Sequence, residues 1–90
     1  MSLTVTYAPR CNADVKRMHY RPAERVCIAV LAFAQTGSGD VEPCDPDDPY
    51  LIRIRASGGF ALARLRPSEN ALEVHAIYGT PPARPVVRLL

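Results

Sequence analysis

The sequence predicts an α+β fold of order β-α-α-β-β-β, with two N-terminal helices packed on one face of an antiparallel sheet. Three observations predict it. The chain opens on a short alternating segment, continues through two proline-led segments with helical apolar spacing, and ends in three alternating segments joined by short turns.

Leu3 to Tyr7 alternates apolar and hydroxyl side chains, the period of two expected of a strand. Ala8-Pro9 ends it, and Pro9 is suited to open a helix because its missing N–H would be unpaired there anyway. Cys11, Val15 and Met18 then fall on one helical face. Tyr20-Arg21-Pro22 is expected to break this helix, with Pro22 starting a second one. Ala23, Val26, Cys27, Val30, Leu31, Phe33 and Ala34 give that second helix a broad apolar face, and Gly37 is placed to close it in a left-handed conformation. From Gly37 to Pro49 the abundance of Gly, Pro and Asp predicts a loop. Strands are expected at Tyr50 to Ala56, Phe60 to Arg66 and Ala71 to Tyr78, separated by Ser57-Gly58-Gly59 and by Pro67-Ser68-Glu69-Asn70. The prolines that follow cannot donate a regular ladder, so residues 80–90 are expected to form an extended Pro-rich C-terminal arm.

Ninety residues supply apolar side chains for one core, so 1–90 is expected to be a single domain. The longest apolar run, Val26 to Ala34, is nine residues, well short of the roughly 20 a membrane helix needs. No membrane partner is expected. The start Met-Ser-Leu-Thr-Val-Thr-Tyr lacks the basic and apolar parts of a secretory signal, which predicts a cytoplasmic protein. Cys11, Cys27 and Cys44 are odd in number and widely spaced, fitting neither a disulfide framework nor a zinc site; Cys11 and Cys27 read as core residues. No metal, nucleotide or other small-molecule cofactor motif occurs.

Charge is unevenly placed. Arg10, Lys16, Arg17, Arg21 and Arg25 dominate the first part of the chain and Arg53, Arg55, Arg64, Arg66, Arg84 and Arg88 the last, while Asp40, Glu42, Asp45, Asp47 and Asp48 cluster between them. If the turn after Ala56 has two or four residues, Arg53 and Arg55 share a face with Phe60, Leu62, Arg64 and Arg66. Tyr50, Ile52, Ile54, Ala61, Ala63 and Leu65 then pack under the helices. A three-residue turn would split the arginines between the two faces. Four guanidinium groups on one open face would repel one another unless something anionic sits among them. They suit phosphate or the acidic helix of a partner; the alternative is a merely solvated sheet face.

Two histidines are present, His19 and His75. An imidazole in a basic cleft serves as general acid or base in RNA cleavage, whereas a half-buried strand histidine needs no such role. Tyr78, beside Gly79, is placed to stack on a base or orient a phosphate, or else to pack as a sheet-edge aromatic.

Thr36-Gly37-Ser38-Gly39-Asp40-Val41 after an apolar helix, then Tyr50-Leu51-Ile52-Arg53-Ile54, a Gly-led turn with Phe60, and Leu72-Glu73-Val74 leading to Ile77 together resemble the RelE/ParE superfamily of toxins. The resemblance implies a toxin of a type II toxin–antitoxin system, neutralised by a cognate antitoxin. RelE-like members are ribosome-associated mRNA interferases, metal-independent endoribonucleases that inhibit translation; ParE-like members inhibit DNA gyrase. Arg53 carries over by position, with Arg64, His75 and Tyr78 as further catalytic candidates and Arg55, Arg66 and Arg84 as RNA- or partner-binding residues. The chain departs from the RelE-like pattern at Glu42, Pro43, Cys44 and Asp45, where lysines and a leucine are usual, and at Ala61, where an arginine is common. These departures define the alternative, a non-catalytic protein-binding module: a ParE-like gyrase inhibitor or a degenerate toxin homologue.

Overall fold

A computed structural model describes residues 2–80 of the chain. The predicted arm beyond Thr80, with Arg84, lies outside the described residues. Strand β1 (Thr4–Tyr7) is followed by helices α1 (Arg10–Arg17) and α2 (Tyr20–Thr36), and then by strands β2 (Asp40–Asp45), β3 (Asp48–Ala56), β4 (Gly59–Arg66) and β5 (Ala71–Gly79). The strands form a five-stranded sheet in the order β1-β5-β4-β3-β2. β3, β4 and β5 are antiparallel neighbours, as expected, and β2 adds a further antiparallel strand beside β3. β1 departs from the expected pattern by pairing parallel to β5, Thr4 opposite Ala71 through Tyr7 opposite Val74.

The core lies between α2 and the sheet. Ala23, Val26, Val30 and Ala34 recur at the three- and four-residue spacing of one helical face and are all buried. They meet Ile52, Ile54, Ala61, Ala63, Leu72 and Val74 from the three central strands. Each fully buried Val, Ile or Leu contributes on the order of 1.5–3 kcal/mol. Ala61 and Ala63 have no exposed surface, and side chains this small let the helix approach the sheet closely. Gly37 closes α2 at φ 73°, its N–H donating to the Phe33 carbonyl at 2.7 Å, as the sequence predicts.

Several expectations are corrected. The helix begins at Tyr20 rather than Pro22, since proline at the third helical position still lacks no intrahelical bond. Its apolar face is narrower than the sequence suggests: Leu31 is 52% exposed and Cys27 only partly buried. Among the described residues α2 has one sheet beneath it and no second layer above, so the far side of its apolar arc stays in solvent. Tyr50, assigned to the helix-facing set, is also exposed. The largest correction concerns the predicted loop from Gly37 to Pro49, most of which is β2 and the start of β3.

β2 is an edge strand, where a proline is tolerated, and Pro43 sits opposite Ile52. Only Val41 carries an apolar side chain toward the core. The backbone ladder holds the strand to β3, and its side chains meet β3 by charge, with Glu42 opposite Arg53 and accepting from both Arg53 and Arg55. That substitution of ion pairs for apolar alternation hid the strand from a pattern reading.

The turn between β3 and β4 has two residues, Ser57-Gly58, because Ala56 pairs with Gly59. Gly58 takes φ 90°, a conformation that favours glycine in such a turn. Arg53 faces Leu62 and Arg55 faces Phe60 across the hairpin, which puts the arginines on the open side as the two-residue register requires. In β5 a bulge lies opposite Leu62 and Ala63. The extra residue lets both Val74 and Ile77 point inward while Glu73 and Tyr78 reach the open face opposite Arg64 and Phe60. Among the described residues no helix is long and apolar enough to cross a membrane.

Candidate functional site

The open face of the sheet is the place to which the sequence assigns its arginines, and each is already met by a carboxylate. Glu42 accepts from Arg53 at 2.9 Å and also from Arg55. Asp48 accepts from Arg64 at 3.0 Å, and Glu73 from Arg66 at 3.1 Å. His75 Nε2 lies 2.8 Å from the other oxygen of Glu73. The hydrogen bond from Arg64 holds the Asp48 carboxyl below its ordinary pKa, and those from Arg66 and then His75 do the same for Glu73. The anion that four neighbouring guanidinium groups require is supplied by the chain itself.

At the end of the face near the β3–β4 turn, aromatic side chains interleave with the cations. Phe60 and Tyr78 stack with ring centroids 5.0 Å apart. The Arg53 guanidinium lies over the Phe60 ring at 5.2 Å, and that of Arg10, from α1, lies 5.8 Å from the Tyr78 ring. The four side chains form a row, Arg53–Phe60–Tyr78–Arg10, with a cation at each end of two stacked rings. Arg53 Nε is buried and makes no hydrogen bond. Shallow clefts flank the row. One of about 380 Å³ is lined by Arg53, Arg55, Phe60 and Thr80; the other, of about 440 Å³, by Arg10, Arg17, His19, Tyr78 and Thr80 among others.

Arg10 is held in this row by a device that the sequence analysis missed. β1 covers the outer edge of β5 only as far as Val74, and α1 takes over that edge beyond it. The Ala8 N–H and the Cys11 thiol both donate to the Val74 carbonyl, at 2.8 and 3.6 Å. One turn further on, buried Asp14 accepts the backbone N–H of Ile77 at 3.1 Å. Its carboxylate also accepts from Arg10 at 3.3 Å and Arg17 at 2.8 Å. The Ile77 N–H first, then the Arg10 and Arg17 guanidiniums, hold the Asp14 carboxyl below its usual range against the opposing effect of burial. The signal was present: Asp14 shares a helical face with Cys11, Val15 and Met18, and its i−4 and i+3 neighbours are arginines.

Of the predicted site residues, Arg53 and Tyr78 are brought together through Phe60. Arg64 stands four residues from Phe60 along β4, about 13 Å at the rise of a strand. It shares that far part of the face with Arg66 and the Glu73–His75 pair. His19, not His75, lines the α1 cleft. Among the described residues, no three His, Cys, Asp or Glu side chains converge in a way that could hold a metal ion.

The structure is similar to a chain of the toxin–antitoxin complex RelBE2 from Mycobacterium tuberculosis, with a TM-score of 0.65, 14% sequence identity, and coverage of 89% of this chain and 93% of that one. No protein-family model and no curated protein matches the sequence. At this identity the likeness is one of fold: two helices against a five-stranded mixed sheet.

Proposed function

We propose that this chain is the toxin component of a type II toxin–antitoxin system, neutralised by a cognate antitoxin and acting in the cytoplasm as a ribosome-associated mRNA interferase. The observation that carries this reading is the row Arg53–Phe60–Tyr78–Arg10 on a fold shared with a toxin–antitoxin complex. Metal-independent RNA cleavage sends the 2′-oxygen, its proton passing to water, onto the neighbouring phosphorus while the 5′-oxygen leaves. Negative charge accumulates on the non-bridging oxygens, and the leaving oxygen needs a proton. Arg53 supplies the cation over Phe60, and the hydroxyl of Tyr78, stacked on the same ring, supplies the proton. An exposed Tyr78 stacked on half-buried Phe60 beside a guanidinium also suits a splayed, single-stranded base.

The self-pairing of Arg53, Arg55, Arg64 and Arg66 favours a second reading, in which the face contacts protein and cleaves nothing: a gyrase inhibitor or a degenerate toxin homologue. Induction of the chain alone should arrest growth and yield cut mRNA, with co-expression of the antitoxin reversing both. Growth arrest with intact mRNA and inhibited gyrase supercoiling would replace the first reading by the second. Unimpaired growth on induction would remove the toxin reading altogether.

A further inference from the structure

At α1, as at Arg53 and Arg55 of the hairpin, two guanidinium groups share a single carboxylate, and positive charge is left over. Arg10 and Arg17 share one carboxylate, Asp14, which is buried and also occupied by the Ile77 N–H. Asp14 offsets one of the two guanidinium charges and fixes their approach, while 55% of the Arg10 side chain and 72% of that of Arg17 remain exposed. Both border the cleft of about 440 Å³ between α1, the start of α2 and the end of β5.

The rest of the lining matches this charge. Apart from Asp14 the polar side chains are those of His19, Tyr78 and Thr80, all able to donate a hydrogen bond. No side chain caps the start of α2 at His19, and its first turn holds no acidic residue. Such a surround of donors suits an anion with several oxygens around one centre better than a planar carboxylate, which two guanidiniums alone would satisfy. The cleft is also wider than a lone phosphate needs.

We propose that the cleft bordered by Arg10, Arg17, His19 and Tyr78 is a phosphate-binding site, adjoining the hairpin face at Tyr78, that takes either a backbone phosphate of single-stranded RNA or a free phosphate ester. The assignment stands on the α1 geometry and does not depend on the chain cleaving RNA.

Backbone N–H NMR spectra of the full-length chain, titrated with inorganic phosphate and separately with an unstructured eight-nucleotide RNA, test it. Shifts should concentrate at Met18, His19, Gly58 and Tyr78 to Thr80. A response to RNA alone assigns the site to a strand backbone, and a response to both assigns it to phosphate esters in general. Replacing Arg10 and Arg17 together by Gln, which keeps a donor for Asp14, should weaken RNA binding at least tenfold at low salt, whereas Lys16→Gln on the same helix should change it less than threefold. The proposal is overturned if neither probe shifts these amides or if the shifts map instead to Arg53, Arg55 and Phe60 on the strands of the β3–β4 hairpin. Equal losses in the Lys16 and arginine variants, or an octaglutamate peptide binding as tightly as the RNA, would also overturn it. Should the double variant fail to fold, the shift map of the unaltered chain decides the question by itself.

Discussion

The Asp14 carboxylate accepts the backbone N–H of Ile77 at 3.1 Å, across 63 residues of sequence. This bond joins α1 to the part of β5 that β1 does not reach, and so fixes Arg10 against Tyr78. Asp14→Ala leaves the buried N–H without an acceptor and frees two arginines. A loss of about 2–3 kcal/mol is expected, which lowers the thermal midpoint of a chain this size by roughly 10 °C or more. Asp14→Asn retains an acceptor oxygen and should cost less than half as much. Equal thermal midpoints for the unaltered protein and the Ala variant would show that the bond contributes nothing.

Acid should expose the same dependence. Asp14, Asp48 and Glu73 all have carboxyls held below their ordinary values of 3.8, 3.8 and 4.5. A group with a depressed folded-state pKa stabilises the protein fully above its unfolded value and loses that contribution as pH falls through the folded one. The urea midpoint is therefore expected to hold steady from pH 7 to about pH 5 and to decline below about pH 4. Asp14→Asn should flatten the decline, and a variant that declines as steeply as the unaltered protein would assign it to the other carboxyls.

Two glycines separate backbone conformation from close packing. A Cβ at Gly59 would stand 2.6 Å from the Tyr78 carbonyl oxygen and 3.0 Å from Val26, so Gly59→Ala must push β4 from β5 or from α2. At Gly37 nothing lies within 4 Å, and only the φ of 73° opposes a side chain. Gly37→Ala should cost about 1 kcal/mol, and Gly59→Ala at least twice that, with the Phe60–Tyr78 stack disturbed. Denaturant unfolding of the two variants checks the order, which reverses if β4 can shift without penalty.

Most of the fold is legible wherever one physical signal dominates. The alternation of Ile52, Ile54, Ala61 and Ala63 shows the hairpin, while its register, which the sequence leaves open between turn lengths, is fixed by the two-residue turn Ser57-Gly58. The proline and glycine positions bracket α1 and α2 to within two residues. β2 was not legible, because its side chains carry no apolar pattern of their own and Glu42 meets arginines 11 and 13 residues away. Cross-strand charge pairing is written in two segments at once, and neither segment alone reveals it. The site was half legible for the same reason. The arginines and Tyr78 could be named from their strands, but the acids that neutralise them, and the attachment of Arg10 through Asp14, depend on contacts that only the tertiary structure makes.

Glu42 offers the most direct test of whether the hairpin arginines are masked. One of its oxygens accepts from both Arg53 and Arg55, and 41% of its side chain is exposed. An ion pair this open contributes little to stability, so Glu42→Gln should change the unfolding free energy by no more than about 1 kcal/mol. Its effect on charge is larger, since two guanidinium groups beside Phe60 lose their shared anion. Elution from an anionic matrix is therefore expected at higher salt, with RNA affinity raised several-fold. If the open face acts on RNA, the variant should also be the more toxic when induced. Unchanged elution and unchanged toxicity would mean that Glu42 does not mask these arginines, and the acidic edge strand would then have a structural role alone.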